Sequence, residues 1–160
     1  MEVTEFAEIE TEFQRRVHQA VWCSVATVDA RGRPRSRVLH PIWEGATGWI
    51  GTNRSSHKSR HLARNPHVSL AYIADVAKPV YADCRAEFVE DLATKRRVWE
   101  LIKSIPPPVG YDPAEFFGSV EHEDFGLLKL TPWRIELISF PAKSVNDCPV
   151  WRPRHARDPS

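Results

Sequence analysis

With 160 residues, the chain has the length of one domain and can bury a core without disulfide or metal staples. Its composition, 42% hydrophobic and 27% charged, excludes a disordered chain, and its net charge of +1 argues against a dedicated nucleic-acid binder. No apolar run reaches the roughly 20 residues of a membrane span, and the acidic start (Glu2, Glu5, Glu8) is unlike a secretory leader. The three cysteines, Cys23, Cys84 and Cys148, are scattered and read as reduced thiols, which points to the cytoplasm.

Residues 4–21 read as a helix, because Phe6, Ile9, Phe13 and Val17 recur at three- and four-residue spacing. Early glutamates and the late pair Arg15 and Arg16 suit the helix dipole. From Trp22 the period shortens to two. Strands are predicted over 22–28, 35–40 and 49–52, separated by turn signals at Asp29-Ala30-Arg31-Gly32 and Glu44-Gly45-Ala46-Thr47-Gly48. The basic stretch 53–65 reads as a short helix entered through Ser55 or Ser56. Strands over 68–73 and 80–89 follow.

Asp91 can cap a second helix running to about Ile105, with Leu92, Trp99, Ile102 and Ile105 inward and Lys95, Arg96 and Arg97 solvated. Pro106-Pro107-Pro108 stops it. Residues 112–117 suit a short helix with Pro113 in its first turn. Strands over 125–130 and 133–138 end the pattern, bent at Pro132. Beyond Phe140 periodicity is lost. The chain therefore divides into a domain over 1–140 and a Pro- and Arg-rich arm or loose tail over 141–160. The elements give an α+β chain with an antiparallel barrel or sandwich. Strand–helix alternation is too irregular for a doubly wound sheet, and no glycine-rich dinucleotide loop is present.

Arg35 to Arg64 carries the chemistry. Arg35 and Arg37, two apart on a strand, project from one face with Leu39 beside them. Gly51-Thr52-Asn53-Arg54-Ser55-Ser56-His57-Lys58 then combines hydroxyls, cations and a helix start, where free N–H groups attract anions. Arg54, Lys58, Arg60 and Arg64 alone fit a solvated basic helix. The strand-face arginines change that balance, because cations on a barrel strand need an anionic partner or solvent. A phosphate fits between them and the loop.

The run from Gly51 to Lys58, followed by Asn65-Pro66-His67-Val68, resembles the FMN-phosphate loop of the pyridoxamine-phosphate-oxidase-like family. Arg37-Val38-Leu39-His40 resembles the strand that precedes it. Val25-Ala26-Thr27-Val28-Asp29 before Gly32-Arg33-Pro34 is similar to the family's opening hairpin, and Leu130-Thr131-Pro132-Trp133-Arg134-Ile135-Glu136-Leu137 to its closing strand. The similarity covers about residues 20 to 140. It implies a Greek-key-like split β-barrel with flanking helices, working as a homodimer with two flavins at the interface. By the resemblance, Arg37 and Lys58 hold the FMN phosphate, Gly51, Thr52, Ser56 and His57 belong to its loop, and Val38, Leu39 and His40 line the flavin. His57 stands where the family has an arginine. Trp133 lies beside the expected dimer seam.

The resemblance implies an FMN-binding oxidoreductase that transfers hydride to a small molecule. Two rivals share the fold: a reductase using the deazaflavin coenzyme, whose long anionic tail suits a basic rim, and a non-enzymatic flavin carrier or sensor. The oxidase's arginine-and-histidine substrate clamp has no counterpart in Ala142-Lys143-Ser144-Val145-Asn146-Asp147, so vitamin B6 oxidation itself is not expected. The histidine spacing makes no tetrahedral metal site, although His57 and His61 lie four apart. No nucleophile pair is present, and no side chain is assigned as an acid or base.

Overall fold

The computed structural model describes residues 1–141, 144 and 147–154. Nine strands form one sheet: β1 (Glu2–Val3), β2 (Cys23–Val28), β3 (Pro34–Leu39), β4 (Ile42–Glu44), β5 (Thr47–Asn53), β6 (His67–Tyr72), β7 (Val80–Phe88), β8 (Phe125–Leu137) and β9 (Val150–Trp151). Four α-helices accompany it: α1 (Glu10–Ala20), α2 (His57–Leu62), α3 (Leu92–Ser104) and α4 (Ala114–Phe117). The strand order is β1-β9-β8-β7-β6-β2-β3, with β5 joined to β8 and β4 to β5. The pairs are antiparallel except β1 with β9. The 13-residue β8 is the spine: its first half pairs with β5, its end pairs with β9, and β7 runs beside both. The sheet does not close, which makes this an α+β split barrel with β3 and β4 as edges.

Alternating side chains build the interior. Val25, Leu70, Tyr72, Val80, Ala82, Leu130 and Ile135 face one cluster, to which α1 adds Phe13 and Val17 and the residue before it adds Ile9. Burying each of the Val, Leu, Ile and Phe side chains is worth about 1.5–3 kcal/mol. Trp43 Nε1 donates to the Tyr72 hydroxyl at 2.9 Å inside this cluster. A second cluster joins Val98, Trp99 and Ile102 of α3 to Ile42, Trp49, Phe125 and Leu127.

Several expectations are corrected. The first helix begins only at Glu10, after a 3-10 turn at Phe6–Glu8. Arg15 and Arg16, read as late in the helix, fall at its middle with His18 in the last turn, and the buried Arg16 guanidinium donates to the Ile138 and Pro79 carbonyls. Leu92 stays 40% exposed, since the packed face of α3 is carried by Val98, Trp99 and Ile102. The expected break at Pro132 is a β-bulge within one continuous strand: Pro132 faces Cys84, Arg134 faces Asp83, and Trp133 is the extra residue. A proline cannot donate to the ladder, and the bulge absorbs that defect.

The segment past Phe140 is not simply a loose arm. Val150–Trp151 pairs with both β8 and β1, and Trp151 packs edge-on against Phe6 at 5.3 Å. A two-residue strand is too short to leave a periodic signal. Arg154 pairs with Glu5 at 2.6 Å. Lys143, in the run that lacks the clamp, lies outside the described residues, as do His155 and Arg157. Among the described residues, no helix is long and apolar enough to cross a membrane.

Candidate functional site

The β2–β3 ladder pairs Val25 with Arg37 and Thr27 with Arg35, so Arg35, Arg37 and Leu39 share the face of Val25 and Thr27. Arg37 is half-buried. Its Nη1 donates to Thr27 Oγ1 at 2.8 Å, and the same hydroxyl meets His61 Nδ1 of α2 at 2.8 Å. Burial pushes the Arg37 pKa down, and the Arg35 charge adds to it.

The loop after β5 brings a second cation to this place. Its backbone is held by Asp124, whose carbonyl accepts from Arg54 N at 2.8 Å and whose carboxylate accepts from Ser55 N at 2.7 Å. Lys58 Nζ donates to Ser56 Oγ at 3.1 Å, and Ser56 Oγ lies 3.1 Å from Ser59 Oγ. The Lys58 pKa is lowered by burial and then by the Arg37 charge, with Asp124 opposing. Neither Arg37 nor Lys58 has a carboxylate in bridging distance among the described residues. Thr52 is buried at the end of β5. With six residues, α2 is too short for its dipole to matter much, so side chains and loop amides carry the charge here. Arg54 points elsewhere, onto Glu90 and over the Phe88 ring.

The C-terminal end of β3 borders an aromatic cleft of about 250 Å³. Trp22, Val38, Leu39, His40 and Gly51 line it, with Pro108, Tyr111, Phe116 and Phe117 from the connection between α3 and β8. The His40 ring sits 4.7 Å from Trp22 and 5.0 Å from Tyr111, and its buried Nε2 has no hydrogen-bond partner. Burial pushes the His40 pKa down against a backbone bond at Val109, favouring the neutral ring. Burial alone lifts Tyr111 to about 12. Gly51 is a glycine for lack of space: a Cβ there would stand 3.2 Å from both the Tyr111 hydroxyl and the Phe117 ring.

Of the residues singled out from sequence, Arg37, Ser56 and Lys58 therefore gather at one end of β3, and Val38, Leu39, His40 and Gly51 line the cleft. His57 is exposed and lines a different cavity, between the β2–β3 turn and the outer side of α2. Trp133 lies at the bulge, its indole Nε1 buried and unpartnered, and lines neither place. Thr27 and His61 went unrecognised as members of the cationic cluster. The signal for Thr27 was available: it is the one hydroxyl among the inward positions Cys23, Val25 and Thr27.

An open, largely antiparallel split barrel, with two cations that no carboxylate bridges among the described residues and an aromatic cleft beside one edge strand, defines the class. A family model for pyridoxamine 5'-phosphate oxidase matches residues 9–139, and the chain belongs to that family. A pyridoxine/pyridoxamine 5'-phosphate oxidase from Paraburkholderia phytofirmans is 36% identical over 72 residues, which is 42% of this chain and 34% of that relative. Among solved structures, a general stress protein 26-related protein of Clostridium acetobutylicum aligns with a TM-score of 0.68 at 17% identity, covering 83% of this chain and 89% of its own. A pyridoxamine 5'-phosphate oxidase-related, FMN-binding protein of Nostoc punctiforme aligns with a TM-score of 0.62 at 16% identity, covering 84% and 86%. At these identities the two structures share the fold with this chain.

Proposed function

We propose that the chain is an FMN-binding oxidoreductase acting on a small molecule. The carrying observation is the pair Arg37 and Lys58: two partly buried cations, close enough for Arg37 to depress Lys58, with no carboxylate in bridging distance among the described residues and Asp124 alone opposing. Such a pair is stabilised by a bound anion. The FMN phosphate sits there, with Ser56 and the Thr52–Lys58 loop supplying further hydrogen bonds. The flavin ring lies along Val38, Leu39 and His40 beside Gly51. Bound FMN supplies hydride transfer. The chain's residues hold the phosphate, pack the ring and exclude water.

The second subunit of a homodimer completes the site in this reading. Trp22, Val38 and Phe116 at the cleft are 55%, 66% and 66% exposed, and β3 is a free sheet edge. A stable interface of this kind buries on the order of 2,000 Å². Light scattering in the presence of flavin should report twice 18.3 kDa.

Titrating FMN against wild type and Lys58→Ala tests the flavin site. Loss of one charge-assisted contact costs about 1.5–3 kcal/mol, hence about tenfold in Kd or more. Equal affinities would sink the assignment. A deazaflavin coenzyme would use the same cleft, and its single main absorption band distinguishes it from the two bands of FMN. A carrier or sensor would bind FMN without turnover of any reductant.

A further inference from the structure

The imidazole of His40 is left half-used by the fold. Its Nε2 is buried and has no hydrogen-bond partner among the described residues. The backbone bond at Val109 raises the ring's pKa, as an accepting carbonyl does, so it engages the Nδ1 proton. Burial lowers the pKa by more, which favours the neutral ring. A neutral ring protonated at Nδ1 presents Nε2 purely as an acceptor. Buried acceptors with no donor are uncommon in folded proteins, and this one stands beside a cleft.

The surroundings define what carries the missing donor. Trp22, Tyr111, Phe116 and Phe117 line the cleft with His40, and no lysine, arginine or carboxylate lines it among the described residues. Burial lifts Tyr111 to about 12, so its hydroxyl adds no charge. A charged ligand would lose its hydration there without a counterion. A flat uncharged ring avoids that cost and packs on the aromatic faces. The volume of about 250 Å³ lies below the roughly 300–1,000 Å³ of sites for drug-sized ligands, which suits a single ring system.

Trp22 covers His40. The two rings lie 4.7 Å apart, and the indole is otherwise 55% exposed. Trp22 follows Val21, whose φ of 62° and ψ of −58° close a γ-turn in which Trp22 N donates to Ala20 O at 2.7 Å. The positive-φ form of this turn is rare and strained, and a β-branched residue makes it more so. The indole is thus held over the imidazole by a strained connection.

We propose that His40 is a ligand-binding residue whose Nε2 accepts from an N–H or O–H of a flat, uncharged ring, and that this ring takes the place of Trp22 over the imidazole. Outward motion of Trp22 relaxes the turn at Val21 and uncovers Nε2. A second subunit against the exposed side of Trp22 changes where the indole goes, not what it uncovers. The proposal rests on the flavin reading only for the source of the ring. One source is the flavin itself, through its imide N–H; the other is the small-molecule substrate bound beside it.

Wild type is compared with His40→Phe, which keeps a flat ring and removes the acceptor, and with His40→Gln, which restores one. The probes are two pairs that differ by a methyl on the donor nitrogen: FMN with 3-methyl-FMN, and indole with 1-methylindole on the FMN-loaded protein. If the flavin is the source, wild type binds FMN about three- to tenfold tighter than 3-methyl-FMN, and the gap closes in His40→Phe and reopens in His40→Gln. If the substrate is the source, the two flavins bind alike, and the same gap with the same dependence on His40 separates indole from 1-methylindole. Either result supports the proposal. No gap in either pair, or a gap as wide in His40→Phe as in wild type, overturns it.

A measurement on wild type alone covers the case in which the variants fail to fold. The nitrogen NMR resonance of His40 Nε2 moves when it accepts a hydrogen bond. A shift with the N–H member of a pair and none with its N-methyl twin supports the acceptor role; equal shifts, or none with either, overturn it. Failure of the flavin reading is separable. If no flavin binds, the indole pair is titrated into the flavin-free protein. A preference for indole that vanishes in His40→Phe supports the proposal, and no preference overturns it.

Discussion

Arg37 Nη1 and Thr27 Oγ1 lie 2.8 Å apart across the β2–β3 ladder, and Thr27 also holds His61 at 2.8 Å. One buried hydroxyl thus orients a strand guanidinium and ties it to α2. Thr27→Val keeps the shape and the strand preference but removes both bonds. A hydrogen bond to a charged group contributes about 1.5–3 kcal/mol, and part of that is spent here on holding Arg37 in place. FMN affinity should fall several-fold, and the thermal midpoint of the flavin-free protein should fall by a few degrees as well. A Thr27→Val protein that binds FMN as tightly as wild type would show that Arg37 needs no such support.

The pH dependence of binding follows from Lys58. Burial and then Arg37 hold its pKa below the ordinary 10.5 in the free protein. A bound phosphate favours the ammonium form and raises that pKa again. FMN affinity should therefore be full below the depressed value and be lost as pH rises through it. Lys58→Arg keeps its charge at any accessible pH, so its affinity should stay flat over the same alkaline range. Equal alkaline losses in both proteins would assign the titration to another group.

Much of this arrangement is legible in the sequence, and the parts that are not share a cause. Alternation marks β2, β6 and β7 because each has one buried face, whereas the edge strand β3 has no buried position. The Asp91 cap is equally plain, and its carboxylate accepts from Ala93 N and Thr94 N at 3.1 and 3.0 Å. Strands β4, β9 and β1 are two or three residues long, too short for a period to appear. Arg37 and Lys58 stand out as cations, but their proximity depends on how α2 packs on β2, a long-range fact. His57 reads as part of the phosphate loop because it adjoins Lys58. On a helix, adjacent residues point about 100° apart, and His57 faces the other cavity.

Inside the barrel, Tyr72→Phe should be costly. It strips the acceptor from Trp43 Nε1, which is buried and bonded only to that hydroxyl. An unsatisfied buried donor costs about 1–3 kcal/mol. For a domain of this size that lowers Tm by about 2–4 °C per kcal/mol. Calorimetry on the flavin-free protein measures it, and an unchanged midpoint would mean the indole finds another partner.

Pyridoxamine phosphate should be a poor substrate, despite the family. Its own phosphate needs a cationic clamp beside the flavin ring, separate from the one holding the cofactor. The cleft on this side of β3 is lined by Trp22, Tyr111, Phe116 and Phe117, with a neutral-leaning His40 as its one ionisable base. The cations Arg31, Arg60 and Arg64 lie in the other cavity, across the hairpin. Binding energy at a substrate phosphate is also what orients the reacting carbon, so turnover should fall together with affinity. A steady-state assay with FMN-loaded protein, pyridoxamine phosphate and oxygen decides the point. Robust turnover would overturn this prediction, and its loss on removing only the residues after Arg154, which leaves Trp151 and β9 in place, would make the C-terminal segment the missing clamp.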